Sequence, residues 1–403
     1  MRFGVDQLLN DKALEDLLKK RKFALCCNQA SMTSNAAFAP YQIAQNFPHN
    51  LVAFFSPQHG LHGIKQDNMI ESSDEFDEVA QVPVYSLYSD NRRPQSDQLD
   101  QLDLVLFDLQ DVGCRIYTFI TTLFYLMDAC EEKGKEMWVL DRPNPLGRAI
   151  DGLALRTEAE RSFVGHFVGM PLQHGMTVGE LAKAYHDQQN FSFPLKIVKL
   201  EAYDAALKSS IVWDRNSHIW VSPSPNLPSL DAVAAYPGTV LIEGTEISEG
   251  RGTCLALQIL GGPSFPTKEI LQELDAKYLN YTAGFILREH HYEAKFHKFQ
   301  DQHCRGLQWH LDPKNYHWSK SRPYLLMMLI LKIYRKLRGE IIWKKDPYEY
   351  EFSRNAFDVV QSNTFARQWL EDAQSDIGDL EVEIEKDLKV WREICAPHFL
   401  YQK

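Results

Sequence analysis

The stretch LDLVLFDLQDVGCRIYTF, residues 102–119, decides the fold class of this chain. Its first half is continuously apolar, Asp108 and Asp111 follow, Gly113 allows a tight turn, and a helical pattern begins near Thr118. Continuous rather than alternating apolarity is typical of a strand that is buried on both faces, as in a parallel sheet. The stretch therefore predicts a central strand, a polar loop at its end and a crossover helix.

The same rhythm recurs along the first two thirds of the chain. Apolar runs that end in polar, Gly or Pro-bearing loops predict strands at KFALCCN to Asn28, LVAFFSP to Pro57, VPVYSLY to Tyr88, LDLVLFDL to Leu109, EMWVLDR to Arg142, LKIVKL to Leu200 and TVLIEG to Gly244. Helical patterns lie around them in DKALEDLLKKR, TFITTLFYLMDACEEKG and TVGELAKAYHDQQ, where Thr177 and Glu180 form a capping-box pattern. Alternating strands and helices predict right-handed crossovers and a mostly parallel sheet.

Domain organisation follows from length and from a change of pattern. A chain of 403 residues is longer than one ordinary core and suits two domains. From about residue 235 the pattern changes to longer helical and aromatic-rich stretches, including an apolar helix near 324 to 337. We predict an α/β fold with a Rossmann-like, mostly parallel sheet domain over residues 1–234 and a smaller α+β domain over residues 235–403.

Composition excludes several classes of partner. The formal net charge of −11 disfavours binding to nucleic acid or to an anionic membrane. The run YLLMMLILKIY from Tyr324 is about half of the ~20 residues that a membrane span needs. The N-terminal stretch is charged throughout, so we expect a cytoplasmic protein, or a periplasmic one if a leader was removed. The sequence leaves the oligomeric state open.

Polar side chains concentrate where the predicted strands end. In a parallel sheet, ligands bind at the carboxyl ends of the strands. The candidates there are Asn28, Gln58 and His59, Asp108, Asp111, Arg115 and Tyr117, Asp141 and Arg142, and Glu243, Glu246, Glu249 and Arg251, with His174 and Asn226 in two further loops. Like charges crowded in one cleft raise each other's pKa, which makes a carboxyl group a general acid at neutral pH. Structural roles as helix caps, ion pairs or hydrogen-bonding partners remain open for each of them.

Several common motifs are absent from the sequence. It contains no GxGxxG, GxxxxGK[ST], HExxH or GxSxG, so dinucleotide-binding, P-loop, zincin and α/β-hydrolase functions lose their main support. Seven cysteines show neither metal-ligand spacing nor the density of a disulfide scaffold. His59 and His62 with Asp67 form at most a weak metal set, and we expect no metal.

The chain resembles the family of exo-acting β-N-acetylmuramidases through the ordered motifs SPQHG, VPVYSLY, RRP, FDLQDVGCRIYTF, VLDRPNPLG, FVG, PLQHGMTVGELA, SPSPNLP, YPGTVLIEGTEISEGRGT and PYEYE. The resemblance extends from about residue 22 to about residue 360. It implies a Rossmann-like domain, a smaller C-terminal domain and a cleft between them. It also implies a glycoside hydrolase that removes N-acetylmuramic acid from the non-reducing end of peptidoglycan fragments. Murein sugars are then the partners, and neither a nucleotide nor a metal cofactor is expected.

The resemblance assigns site positions to Asn28, the His59 loop, Asp108, Asp111, Arg115, Tyr117, Asp141, Arg142, His174 and the glutamates of residues 243–249. Three positions depart from the family pattern. Gln58 replaces the glutamate of the usual Pro-Glu-His-Gly, Arg148 replaces a glycine after NPLG, and Glu246 stands where an asparagine is frequent. The first departure removes a carboxylate from the loop in which a catalytic acid is expected.

Glycoside cleavage needs a carboxylic acid and a second carboxylate as base or nucleophile. Because Gln58 cannot transfer a proton, we expect Glu71 to supply the missing acid, with Glu246 and Glu249 as further candidates. His59 is the alternative, since an imidazole titrates near neutral pH.

Arg115 and Arg142 are expected to bind the lactyl carboxylate of muramic acid, because a guanidinium matches a carboxylate bidentately. A murein-sugar binder without catalysis, or with altered specificity, is the rival hypothesis. A nucleotide-sugar transferase is weaker, because no phosphate-binding glycine loop follows the first strand.

Overall fold

The computed structural model describes residues 1–66, 69–89, 91–205, 211–213, 217–312 and 314–401, so Asp67 of the weak metal set lies outside the described residues. The strands are β1 (Phe23–Cys27), β2 (Leu51–Ser56), β3 (Glu75–Asp77), β4 (Val82–Ser86), β5 (Leu104–Asp108), β6 (Glu136–Leu140), β7 (Ile150–Ala154), β8 (Pro171–His174), β9 (Leu195–Val198), β10 (Ile259–Gly262), β11 (Phe285–Glu293) and β12 (His303–Leu311). The helices are α1 (Gly4–Asn10), α2 (Lys12–Leu18), α3 (Ala39–Asn46), α4 (Ser96–Asp100), α5 (Phe119–Lys133), α6 (Val178–Gln189), α7 (Leu230–Thr239), α8 (Thr267–Lys277), α9 (Pro323–Arg338), α10 (Ala356–Gln361), α11 (Phe365–Glu371) and α12 (Ile377–Cys395).

The main sheet has the strand order β3-β4-β2-β1-β5-β6-β9. Its pairs are parallel except for β3 with β4. The chain builds outward from β1 in one direction through β2 and β4, then crosses to the other side of β1 through β5, β6 and β9. Cys27 at the end of β1 pairs with Asp108 at the end of β5. This reversal of strand order is where an open α/β sheet forms a crevice at its carboxyl edge.

The helix signals in the N-terminal half are confirmed. The Thr177 side chain accepts a hydrogen bond from the Glu180 amide at 3.3 Å, and the Glu180 carboxylate accepts one from the Thr177 amide at 3.0 Å, so α6 begins with the predicted capping box. Helix α5 ends at Gly134, which has φ 59°. Glycine adopts this left-handed conformation without a steric penalty.

The C-terminal part contains the antiparallel sheet β10-β12-β11 with helices packed around it. The predicted fold class, a mostly parallel α/β sheet followed by a smaller α+β region, is therefore confirmed. Helix α7 runs through residue 234, so the predicted boundary between residues 234 and 235 falls inside a helix. That boundary stays a prediction.

The predicted strand TVLIEG is wrong. Residues Val240–Gly244 form a short 3-10 helix that continues α7. Val240, Leu241 and Ile242 are each fully buried. A short, continuously apolar run is compatible with a buried strand or with a buried helical segment, and periodicity alone does not distinguish them.

Helix α9 is the apolar helix that the sequence predicts near 324 to 337. It buries residues 323–331 and Ile333, and it has Arg335, Lys336 and Arg338 in its last turn. Cations at this end of a helix interact favourably with the helix dipole. Among the described residues, no helix combines the length and the apolarity needed to cross a lipid bilayer.

The close approach of α7 to α9 predicts a stability effect at Gly238. A Cβ atom added to Gly238 would lie 2.3 Å from the backbone oxygen of Pro323. We expect Gly238→Ala to lower the free energy of unfolding by about 2 kcal/mol, because the backbone of α9 must shift. Chemical denaturation measures the effect. Gly378→Ala in the first turn of α12, where the nearest atom is a side-chain oxygen of Asp376 at 3.1 Å and not backbone, is the matched control.

Candidate active site

A small cavity at the carboxyl edge of the main sheet gathers polar residues from both halves of the chain. Its volume is about 30 Å³, and it is lined by Gln58, His59, Ile116, Tyr117, Thr118, Val164, Ser224, Asn226, Leu227, Tyr236, Glu243, Arg251, Leu257, Tyr348 and Glu349. This volume accommodates about one water molecule. A sugar must therefore bind at the mouth of the cavity or displace the loops around it. Six predicted site residues line the cavity: Gln58, His59, Tyr117, Asn226, Glu243 and Arg251.

Gln58 is the centre of a buried hydrogen-bond network. Its amide nitrogen donates to the Tyr88 hydroxyl at 3.0 Å and to the Glu349 carboxylate at 3.4 Å. Its amide oxygen accepts a hydrogen bond from the Thr118 hydroxyl at 2.6 Å. The Tyr88 hydroxyl in turn donates to the second oxygen of Glu349 at 2.7 Å. The position where the family pattern has a carboxylate thus directly contacts another carboxyl group.

Glu349 has an unusual electrostatic environment. Burial raises its pKa to about 7, and the nearby charge of Glu243 acts in the same direction. The hydrogen bond from Tyr88, the charge of Arg92 and the hydrogen bond from Gln58 act in the opposite direction. At neutral pH this carboxyl group is therefore present in both its protonated and its ionised forms.

Glu243 forms a different kind of contact in the same cavity. Its carboxylate accepts hydrogen bonds from the Arg251 guanidinium at 2.6 Å and from the Tyr348 hydroxyl at 2.6 Å. It is a salt-bridged carboxylate, whereas Glu349 is only partly ionised at neutral pH. Two carboxyl groups whose environments differ in this way can divide the roles of acid and base.

The backbone around the cavity adopts conformations that non-glycine residues rarely use. His59 has φ 76°, Glu349 has φ 48° and Tyr350 has φ 65°. Left-handed conformations of such residues cost free energy and cluster at functional sites. The strain at His59 and Glu349 therefore supports a functional role for these two side chains.

Two further side chains are oriented for contact with a ligand. The Nδ1 atom of His59 lies 2.6 Å from the Lys65 carbonyl oxygen, so Nδ1 carries the hydrogen. The Tyr117 hydroxyl lines the cavity, is buried, and has no hydrogen-bond partner within the part of the chain that the structure describes. A buried hydroxyl without a partner is available to hydrogen-bond a substrate.

The carboxylates proposed to replace Gln58 do not line the cavity. Glu71 and Glu246 are exposed at the surface. Glu249 is buried among cations, with Arg251 at 3.1 Å and Lys298 at 2.9 Å. Burial acts to raise the pKa of Glu249, but the charge of Lys298, the hydrogen bond from His297 and the charge of Arg251 hold it well below its usual range. Glu349, by contrast, lines the cavity and has a raised pKa.

The arginines expected to bind a lactyl carboxylate are already engaged. Arg142 holds the Asp108 carboxylate with two hydrogen bonds of 2.6 and 2.9 Å. Arg115 is fully buried and donates to backbone carbonyl groups, including that of Gln361 at 3.0 Å. Both guanidinium groups have structural partners, and neither lines the cavity.

The remaining predicted site residues also lie outside the cavity. The Asp141 carboxylate accepts hydrogen bonds from Tyr401, Thr177 and Gly179 at 2.5–2.8 Å. Burial raises its pKa to about 7. These partners link the end of β6 to the start of α6 and to the C-terminal segment.

Asp111 and His174 contact each other at 3.1 Å, and the Asn28 amide donates to the Pro223 carbonyl at 3.0 Å. These contacts join neighbouring loops of the carboxyl edge. They agree with the structural roles that the sequence analysis left open for these residues.

A larger cavity of about 410 Å³ lies elsewhere, between α12, the β7–β8 pair and the loop before α9. His174 is the predicted site residue among those that line it. The carboxylate in the lining of this cavity is that of Glu385, which is exposed and paired with Arg392. Among the described residues, the lining of the larger cavity therefore includes no buried carboxyl group for acid–base chemistry.

Comparison with known proteins identifies the family. The models of the N- and C-terminal regions of exo-β-N-acetylmuramidase NamZ match residues 23–231 and 234–401. The chain is 32% identical over 400 residues to the peptidoglycan β-N-acetylmuramidase NamZ of Bacillus subtilis (strain 168). The matched region covers 99% of this chain and 91% of that protein. The chain belongs to the NamZ exo-β-N-acetylmuramidase family.

Two solved structures of DUF1343 family proteins from Bacteroides fragilis resemble this NamZ family member. One has a TM-score of 0.83 at 24% identity and the other a TM-score of 0.71 at 26% identity. Each covers 100% of this chain and 99% of its own chain. The likeness extends over both regions of the fold.

Sequence reasoning missed Glu349 and the aromatic residues beside it. Glu349 lies in the motif PYEYE, which carries the family resemblance but received no chemical role. The signal that points to it is a single glutamate between two tyrosines. Their hydroxyl groups contact other parts of the site, since Tyr348 donates to Glu243 and Tyr350 to the Met69 carbonyl.

The raised pKa of Glu349 predicts a pH-dependent cost in stability. The carboxyl group titrates at about 7 in the folded state, against an ordinary value of 4.5, so the folded state binds more protons between these two values. The protonated Glu349 therefore stabilises the fold at low pH, and this stabilisation is lost as the pH rises from 4.5 to 7. At about 1.4 kcal/mol per pKa unit, the loss in free energy of unfolding is about 3 kcal/mol.

We expect Glu349→Gln to remove this dependence. The difference in free energy of unfolding between the variant and the unmodified protein, measured by denaturant titration, should grow in favour of the variant between pH 4.5 and pH 7. A constant difference over this range would contradict the raised pKa. Glu269→Gln, at an exposed position in α8, serves as the control.

Proposed function

We propose that the protein is a glycoside hydrolase that releases N-acetylmuramic acid from the non-reducing end of peptidoglycan fragments. The observation that carries this proposal is the pair of carboxyl groups in one cavity, Glu349 with a pKa near 7 and Glu243 in a salt bridge with Arg251. Membership of the NamZ family, with its peptidoglycan-acting relative in B. subtilis, supports the class of substrate.

Glu349 is the general acid in this mechanism. Its protonated carboxyl group donates a proton to the glycosidic oxygen as the bond to the leaving sugar breaks. Glu243 is the second carboxylate. It acts either as the base that deprotonates an attacking water or as the nucleophile that forms a glycosyl ester, which water then hydrolyses. Arg251 and Tyr348 hold Glu243 in place through their hydrogen bonds.

Gln58 acts as a positioning residue. Its amide donates to Glu349 and to Tyr88, and its oxygen accepts from Thr118, so it fixes the orientation of the acid. It cannot itself transfer a proton. This property is the observation that favours the second candidate function, a protein that binds murein sugars without cleaving them.

Substitution of Glu349 tests the acid. We expect Glu349→Gln to reduce release of N-acetylmuramic acid from a muramyl disaccharide by about 10²–10⁴-fold. The loss should be much smaller on a nitrophenyl β-N-acetylmuramide, because a nitrophenolate leaves without a proton. Chromatography of the free sugar and absorbance of the nitrophenolate measure the two rates.

Glu269→Gln should retain both activities. An equal loss on the two substrates in Glu349→Gln would contradict the role of general acid. If the unmodified protein releases no sugar but binds muramyl disaccharide in calorimetric titration, the hydrolase proposal fails and the binding function replaces it.

The pH profile gives a second test of the same acid. Because the reaction needs Glu349 protonated, kcat/KM on the disaccharide should fall about tenfold per pH unit above a pH of about 7. The residual activity of Glu349→Gln should lack this decline. A profile that stays flat to pH 9 in the unmodified protein would contradict the assignment.

A further inference from the structure

Arg92 lies inside a cage of aromatic rings at the edge of the candidate site. Its guanidinium carbon is 3.9 Å from the ring centre of Tyr350, 4.9 Å from that of Tyr88 and 5.1 Å from that of Phe163. Cations are attracted to the faces of aromatic rings, and flat guanidinium groups stack on them. The cage therefore fixes the position and the plane of the Arg92 side chain.

Two donor atoms of the Arg92 guanidinium form no hydrogen bond among the described residues. Its Nε and Nη2 atoms are buried and have no acceptor within the part of the chain that the structure describes. Its neighbour Arg93, by contrast, forms an ordinary surface ion pair with Glu132 at 2.7 Å. Buried donors without acceptors oppose folding, so stability alone does not account for this arrangement.

The cage is directly connected to the proposed acid. The Tyr88 ring that stacks on Arg92 carries the hydroxyl group that donates to Glu349 at 2.7 Å. Tyr350, the closest ring to Arg92, follows Glu349 in the chain. Arg92 and Tyr350 are both partly exposed, so the cage lies at the protein surface, and a bound sugar must displace part of the cage to reach the buried Nε and Nη2 atoms.

We propose that Arg92 binds the lactyl carboxylate of the terminal N-acetylmuramic acid and thereby selects this sugar over N-acetylglucosamine. The proposal rests on the proposed function, since it takes the substrate from it. A guanidinium pairs with a carboxylate through two parallel, charge-assisted hydrogen bonds. Arg115 and Arg142 already have protein partners, whereas Arg92 has donors to offer.

Kinetics on matched substrates test the proposal. We expect Arg92→Ala to lower kcat/KM about 100-fold on the nitrophenyl β-N-acetylmuramide, mainly through a higher KM, because a site built for a polar group loses its partner. The rate on the corresponding N-acetylglucosaminide should stay within a few-fold of its original value. Arg93→Ala is the matched control and should leave both rates unchanged.

A chemically altered substrate isolates the contact itself. Reducing the lactyl carboxylate of the substrate to an alcohol should lower kcat/KM of the unmodified protein about as much as Arg92→Ala does. The same reduction should have little further effect on kcat/KM of the Arg92→Ala variant. Arg92→Lys keeps the charge but loses the paired donors, so its kcat/KM should lie between those of the unmodified protein and of Arg92→Ala. Because the altered substrate is used with the unmodified protein, the test does not depend on whether a variant folds.

The outcomes separate this proposal from the proposed function. If the unmodified protein cleaves muramides and the Arg92→Ala variant keeps the same preference for N-acetylmuramic acid, the carboxylate assignment is overturned and the hydrolase remains. If no sugar is released but calorimetric titration shows binding of N-acetylmuramic acid that requires Arg92, the hydrolase is overturned and the carboxylate assignment remains. Equal binding of the intact and the reduced sugar by the unmodified protein also overturns the assignment.

Discussion

A buried carboxyl group loses the hydration that stabilises its charge, and hydrogen bonds from the protein must compensate for that loss. Glu349 imposes this requirement on the candidate site. Tyr88 and Gln58 come from the carboxyl edge of the main sheet, whereas Glu349 itself belongs to the C-terminal part of the chain. The solvation of one side chain therefore depends on correct docking of the two regions, and docking brings Glu243 with Arg251 to the same cavity. The geometry of the site is a consequence of this docking.

A second buried carboxylate, Glu180, organises the contacts between the start of α6 and the C-terminal segment. It closes the capping box of α6, binds Arg148 at 2.5 and 2.8 Å, and accepts the Leu400 amide at 2.9 Å. Arg148 also stacks on Phe399 at 4.1 Å. The departure from the family glycine at residue 148 is thus explained by an ion pair that attaches the C-terminal segment to α6. The arginine at this position has a structural role.

The sheet and most of its strand-end residues could be predicted from the sequence, because continuous apolar runs identify strands that are buried on both faces, and parallel strands present their carboxyl ends on one edge. Gln58 and His59 were found in this way, whereas Glu243 was placed at the end of the predicted strand TVLIEG, which is a 3-10 helix. Glu349 could not be found by the same rule, because it follows no strand of that sheet and is separated from Gln58 by 291 positions in the chain. Glu71 was preferred for its closeness in sequence, yet it is exposed. Strand periodicity carries no information about which distant loop docks against a strand end.

The contact between Asp141 and Tyr401 spans 260 positions in the chain. Asp141 is fully buried at the end of β6, and its pKa is raised to about 7 even with Tyr401, Thr177 and Gly179 as donors. During synthesis, the sheet and α6 emerge long before residue 401, so the nascent N-terminal region holds this carboxyl group with one donor missing. Docking of the segment that carries Tyr401 therefore completes the hydrogen bonding of Asp141 at the end of β6 and couples the folding of the sheet to a segment far along the chain.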